Sequence, residues 1–225
     1  MAARDWQAWH DDYDVPGSGL ARRLEVVQAR IRDALDSAPR GPLRVISMCA
    51  GQGRDLIGVL ASHPRGNEVT ARLVELDPGI AAVAAEAAVA SGLPSVEVVA
   101  DDAGLVDAYA GLVPADIVLA CGVFGNIVSA DIECTITCCA QLCAAGGTVI
   151  WTRGRFEPDL IPQICRWFAE RGFDLQWLSD PGERFGVGAH RFSGGPQPLA
   201  AGQRMFSFVD YDVLRNGAGR GLGNR

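Results

Sequence analysis

Two periods alternate along the chain. Leu20, Leu24, Val27, Ile31 and Leu35 recur at helical spacing and predict an amphipathic helix ending near Ser37, before Pro39-Arg40-Gly41-Pro42. Residues 43–49 begin apolar and β-branched with Leu43, Val45 and Ile46 and predict a buried strand; helical spacing follows over about 52–62. The same alternation repeats. Val69 to Leu76 predicts a second strand, with Asp77 as N-cap and Pro78 as the first residue of a helix running to about Ser91. Val96 to Ala100 predicts a third strand, with a short helix near 103–111. Asp116 to Ala120 predicts a fourth, and a helix follows from Ala130 to Ala144. Thr148 to Thr152 predicts a fifth, followed by a helix over Leu160 to Arg171. Phe173 to Leu178 and Met205 to Val209 predict the last two strands, joined by a long loop rich in glycine and proline.

Strands alternating with helices imply one α/β domain with a doubly wound, seven-stranded, mostly parallel sheet, and the final pair permits an antiparallel edge strand. The expected division is an N-terminal lid and helical extension over 1–40, the main domain over 41–212, and a flexible tail over 213–225. No internal repeat or linker marks a second domain.

Composition narrows the field. The chain of 225 residues carries a formal charge of −7, and all twenty basic residues are arginine. That balance disfavours a surface that tracks nucleic-acid phosphates and favours small or uncharged partners. The segment MAARDWQAWHDDYD has no apolar core, so no signal peptide is expected; no run approaches a membrane span, and the expected location is the cytoplasm. A homo-oligomer is compatible with these features. Seven cysteines, an odd number without CxxC pairs or nearby histidines, are expected to be buried structural residues, with no metal site.

Candidate chemistry gathers at the predicted strand ends, because ligands of such sheets bind outside the carboxyl ends of the strands. The first end turns through Cys49-Ala50-Gly51-Gln52-Gly53 into a helix. Glycine permits close approach of a ligand to the backbone, and the helix start presents unpaired N–H groups. Glu75, 22 residues after Gly53, stands where an acid accepts hydrogen bonds from both hydroxyls of a ribose; Asp77 is the alternative ribose acid. Asp102-Ala103 after the third strand can meet the amine of an adenine-like base, with Asp101 as alternative. The dinucleotide pattern GxGxxG is not met, because Leu56 stands where the third glycine belongs.

On the motifs VISMCAGQGRD (45–55), LVELDP (73–78), VVADDA (98–103), DIVLACGVFGNI (116–127) and GGTVIWT (146–152), the chain resembles the class I S-adenosylmethionine-dependent methyltransferases over about residues 20–210. The resemblance implies a Rossmann-like methyltransferase fold and S-adenosyl-L-methionine as cofactor. It implies that Cys49, Ala50, Gly51 and Gly53 pass the aminoacyl end, Glu75 and Leu76 the ribose, and Asp102 and Ala103 the adenine. Cys121 and Gly122 would line the methionine portion, and Asn126 is expected with them among the cofactor-binding residues; Asn126 and Arg153 also occupy strand-exit positions suited to orienting a substrate. The family's NPPY-like motif is replaced by GVFGNI, which disfavours adenine- or glutamine-directed transfer.

The expected reaction is methyl transfer to a small-molecule acceptor. Candidates for proton handling are His10 and Tyr13 in the aromatic N-terminal segment with Trp6 and Trp9, and His190 in the long loop. Two rival readings are a non-catalytic binding protein that keeps the pocket and, disfavoured by Leu56, an NAD(P)-dependent reductase.

Overall fold

A computed structural model describes residues 12–15, 17–210 and 213–214. Five α-helices and seven strands occur among them, besides three short 3-10 helices: α1 (Gly19–Ser37), β1 (Leu43–Met48), α2 (Leu56–Leu60), β2 (Val69–Glu75), α3 (Pro78–Ala90), β3 (Val96–Ala100), β4 (Ala115–Ala120), α4 (Ser129–Leu142), β5 (Cys143–Gly154), α5 (Ile161–Glu170), β6 (Phe173–Leu178) and β7 (Phe185–Phe192). The strands form one sheet in the order β3-β2-β1-β4-β5-β7-β6. All run parallel except β7, which pairs antiparallel with both β5 and β6. The reversal of strand order between β1 and β4 creates the crevice in which such sheets take ligands.

Both faces are covered. α1, α2 and α3 bury Val27, Ile31, Leu56, Val59 and Ala84 against Val45, Leu73 and Ile117. On the other face α4 and α5 bury Ile132, Ile136, Ile164 and Phe168 against Ile46, Val118, Val149 and Trp151. The central strands are apolar on both sides because each side meets helices. Cys138, Cys139 and Cys143 lie in this core as small apolar side chains, and burial pushes the thiols of Cys138 and Cys143 up to about 12.

Three expectations change. The helix after β1 begins at Leu56, not near Gln52, because residues 49–53 are consumed by a turn with positive φ at Cys49, Gly51 and Gly53 (+49°, +57°, +69°). The last strand is Phe185–Phe192, inside the stretch expected to be a loop, and it lies between β5 and β6, so the antiparallel strand is interior and β6 forms the edge. Its glycines serve packing. Gly188 faces Trp151, and a Cβ there would run into the indole, while one on Gly186 would meet Ile161. Met205 to Val209, expected as a strand, joins no sheet; Met205 and Phe206 are adjacent and both buried, which no strand facing solvent on one side can provide.

The third correction follows from the second: His190 is a fully buried β7 residue, not a loop residue. It stacks on Phe168 with ring centroids 4.3 Å apart, and its Nδ1 accepts the indole N–H of Trp151 at 3.1 Å. Burial pushes its pKa down to about 4 from an ordinary 6.5. The unfolded chain therefore binds a proton below pH 6.5 that the folded chain refuses until about pH 4. The neutral imidazole's stabilisation is complete above pH 6.5 and is lost as pH falls from 6.5 toward 4. We expect about 3 kcal/mol of stability to disappear across that window. Urea unfolding of the protein and of His190→Gln at pH 7 and pH 4.5 checks this; equal losses in the two proteins would exclude His190 as the cause.

Candidate functional site

At the carboxyl ends of β1, β2, β3 and β4 lies a cavity of about 660 Å³, within the roughly 300–1,000 Å³ of sites that enclose small ligands. The turn after β1 forms its floor. Cys49 is a non-glycine residue in left-handed backbone, a conformation that costs about 1–2 kcal/mol and is kept only where surrounding contacts enforce it. Here the Ala50 N–H donates to Val74 O at 3.0 Å, and the Gly53 N–H closes the turn on Ala50 O at 2.9 Å.

Glu75, at the end of β2, links the turn to the next strand. Its Oε2 accepts the Gly51 N–H at 2.9 Å and its Oε1 accepts the Asp77 N–H at 3.0 Å. Asp77 uses its own carboxylate to cap α3, accepting from Gly79 and Ile80 at 2.8 and 3.0 Å. Both acids border the cavity, but one is committed to a helix cap while the other holds the glycine turn. Leu76 projects into the cavity mouth with 70% of its surface exposed.

Asp102 and Ala103 line the cavity beyond β3, whereas Asp101 does not and turns its carboxylate onto the Asp102 N–H at 2.7 Å. Asp102 Oδ1 accepts the Gly104 N–H at 2.9 Å and Oδ2 pairs with Arg204 at 2.9 Å. Cys121, Gly122 and Asn126, in the β4 exit loop, line the next wall. Asn126 Nδ2 donates to Gly122 O at 2.6 Å, and the Gly122 N–H donates to Thr152 Oγ1 at 2.8 Å, tying this loop to β5. Of the residues expected to touch a cofactor, Gly53 alone is not a lining residue; it packs between Ile57 and Leu73 and shapes the turn.

The N-terminal segment closes one corner. Tyr13 lines the cavity, and its hydroxyl accepts from Arg23 of α1 at 3.0 Å. Arg54 donates twice to Asp14, at 2.6 and 3.0 Å, and once to Gln52 at 2.7 Å, fastening that segment to the glycine turn. Asp55 caps α2 through the Leu56 N–H at 2.7 Å and also faces the cavity. Burial pushes its carboxyl up, and Arg23 acts against this. Burial also raises the Tyr13 phenol and the Cys121 thiol, so both hold their protons at neutral pH. His10, like Trp6 and Trp9, lies outside the described residues.

Sequence reasoning missed Arg23, Leu24 and Val27, Thr152, and the strap Arg204 to Phe208. The helical stripe through Leu24 and Val27 marks the face of α1 that meets the cavity, with Arg23 at its edge. The strap had no local signal: it is held by backbone hydrogen bonds from Met205 to Gly104 (2.7 Å) and from Val209 to Asn126 (3.0 Å), and by Ser207 N–H to Asp131 (3.0 Å). Among the described residues no group of three or more His, Cys, Asp or Glu could hold a metal ion, and no helix is long and apolar enough to cross a membrane.

This sheet order, with its switch-point cavity, is the Rossmann-like fold of the class I S-adenosylmethionine-dependent methyltransferases. No protein-family model and no curated protein sequence matches the chain. Solved structures do. An O-methyltransferase family protein from Burkholderia thailandensis superposes with a TM-score of 0.58 at 18% identity, over 75% of this chain and 57% of its own. The CurJ carbon methyltransferase reaches 0.64 at 14% identity, over 84% of this chain and 59% of its own. An rRNA-methylase-like protein from Clostridium thermocellum gives 0.55 at 15% identity, over 74% of this chain and 96% of its own. This chain thus spans less than two thirds of the first two. Their named acceptors are an oxygen, a carbon and an RNA, so the shared fold leaves the acceptor open.

Proposed function

We propose that the protein binds S-adenosyl-L-methionine and transfers its methyl group to a small-molecule acceptor. The observation that supports this most directly is Glu75, a strand-end carboxylate beside the Gly51 N–H in a cavity that also contains Asp102 and Ala103. A carboxylate there accepts from both ribose hydroxyls, while Leu76 and Ala103 offer apolar surface to the adenine and Asp102 an acceptor for its amine. At the other end Arg23 and Asp55 face one corner, where the guanidinium suits the carboxylate of an aminoacyl group and the Asp55 carboxyl offers acceptors to its ammonium. The bound cofactor supplies an electrophilic methyl on a sulfonium. The chain's contribution is alignment and exclusion of water, with Tyr13, Asn126 and the strap closing the cavity around the acceptor. Tyr13, which keeps its proton, serves as a hydrogen-bond donor, and His190, locked in the aromatic core, takes no part in proton transfer. The acidic net charge supports a small acceptor over a polynucleotide.

Titration calorimetry with S-adenosylhomocysteine tests the reading. Binding with a Kd in the micromolar range is expected, and heat no greater than dilution would overturn it.

A further inference from the structure

Charge is unevenly placed around the cavity. Seven charged side chains line it, and each meets a partner within the protein. Arg54 pairs with Asp14 and Arg204 with Asp102, Arg23 donates to the Tyr13 hydroxyl, and the carboxylates of Asp55, Glu75 and Asp77 accept backbone N–H groups. They stand on α1, around the ends of β1, β2 and β3, and on the strap. The ends of β4 and β5 contribute Cys121, Gly122, Asn126 and Thr152, none of them charged. Arg153, expected at this strand exit to orient a substrate, is buried and does not line the cavity. Thr152 is 1% exposed, and its hydroxyl accepts the Gly122 N–H at 2.8 Å. A charged acceptor at the β4 and β5 ends would leave water with no opposite charge to meet it, which is costly. An uncharged one escapes that cost.

Apolar walls flank the cavity. α1 contributes Leu24 and Val27, and Val27 belongs to the core under α1, α2 and α3. The strap contributes Phe206, part of the core on the opposite face, and Phe208, whose ring centroid lies 5.9 Å from that of Phe206. Phe206 is buried, whereas Phe208 is 42% exposed although it lines the cavity. Its backbone is fixed on both sides: the Ser207 N–H donates to Asp131 and the Val209 N–H to Asn126 O, each at 3.0 Å. A half-exposed ring on an anchored backbone gains from being covered by apolar surface, and a second ring, offset or edge-on, gives more than an aliphatic group of the same size. We propose that the methyl acceptor is an uncharged aromatic molecule whose ring lies against Phe208. That the ring belongs to the acceptor rests on the methyltransferase reading; the aromatic site itself does not. The bond from Val209 to Asn126 ties the strap to the β4 exit, so Phe208 stands at the uncharged end of the cavity. There Asn126 and Thr152 offer neutral hydrogen-bonding groups to a polar substituent on the ring.

The test titrates phenol, cyclohexanol and benzoate into the full chain, with and without saturating S-adenosylhomocysteine, and follows binding by ligand-detected NMR. Phenol and cyclohexanol share a size and a hydroxyl and differ in the ring; benzoate keeps the ring and adds a charge. With S-adenosylhomocysteine, wild type should bind phenol about two- to twelvefold more tightly than cyclohexanol, the range an aromatic pair provides. It should bind benzoate about tenfold more weakly than phenol, or less. Phe208→Leu keeps apolar volume and removes the ring, so the preference for phenol over cyclohexanol should disappear. Phe208→Tyr retains the ring and should retain the preference. If Phe208→Leu does not fold, Phe208→Met decides in its place. The proposal is overturned by any of four results: no phenol binding, no advantage over cyclohexanol in wild type, an advantage that survives in Phe208→Leu, or benzoate binding as tightly as phenol. The two readings fail separately. If S-adenosylhomocysteine binds and one of these results is obtained, the methyltransferase reading stands without an aromatic acceptor. If it does not bind but a Phe208-dependent preference for phenol is found in its absence, the aromatic site stands and its assignment to a methyl acceptor falls.

Discussion

Glu75→Ala is expected to weaken S-adenosylhomocysteine binding by about a hundredfold or more. The carboxylate would lose two charge-assisted hydrogen bonds to the ribose, each worth about 1.5–3 kcal/mol. Both of its oxygens already accept from the backbone, at 2.9 Å from Gly51 and 3.0 Å from Asp77. The carboxylate is therefore held in place before any ligand arrives, and little ordering entropy is left for binding to supply. Asp77→Ala is the control. It removes the α3 cap, which should cost about 1 kcal/mol of stability while changing affinity only a few-fold. Calorimetric titration of both variants checks the pair; a larger affinity loss in Asp77→Ala would reverse the assignment of the ribose acid.

Gly53→Val should destabilise the protein by about 4 kcal/mol, a Tm loss of about 8–16 °C for a chain of this size. Two independent costs add. Gly53 has φ +69°, a region where a β-branched residue is strained by about 1–3 kcal/mol. A Cβ at this position would also lie 2.6 Å from Ile57 Cδ1 and 2.8 Å from Leu73 Cδ2, both buried, and overpacking of that kind costs about 1–3 kcal/mol. The expected defect is in folding stability, since Gly53 lies behind the cavity wall. Differential scanning calorimetry checks it, and a Tm within 2 °C of the parent would show that the turn relaxes around the new side chain.

These two residues illustrate what can be read from one dimension. Gly53 and Glu75 belong to the strand–turn–helix and strand-end patterns, which depend on nearest neighbours and on the periods 2 and 3.6. The same holds for Asp77 and Pro78, whose chemistry as cap and first helical residue is complete within four positions. Asp77 caps α3 and Pro78 opens it, as that local chemistry predicts. Leu56 illustrates the converse use of pattern: where a dinucleotide site would have glycine, its side chain fills the core under α2.

His190 and Phe208 show where local pattern ends. FGVGAHRF resembles a loop because its glycines weaken strand propensity, yet each glycine answers a bulky partner far away in sequence, Gly188 to Trp151 and Gly186 to Ile161. Met205 to Val209 resembles a strand, but its hydrogen-bond partners are loops at Gly104 and Asn126, so it becomes a strap over the cavity that brings Phe206 and Phe208 to the wall.

By itself, then, the chain's pattern determined the alternation of strands and helices, the glycine turn after β1, and the acids that follow β2 and β3. Each is set by backbone sterics, capping and periodic burial over a few residues. Only the tertiary structure decided that β7 lies between β5 and β6, that α1 and the strap enclose the cavity, and that His190 is buried among the aromatic rings of the core. Those outcomes depend on contacts between segments tens of residues apart, where side-chain volume and charge must be matched across space and no local period records the match.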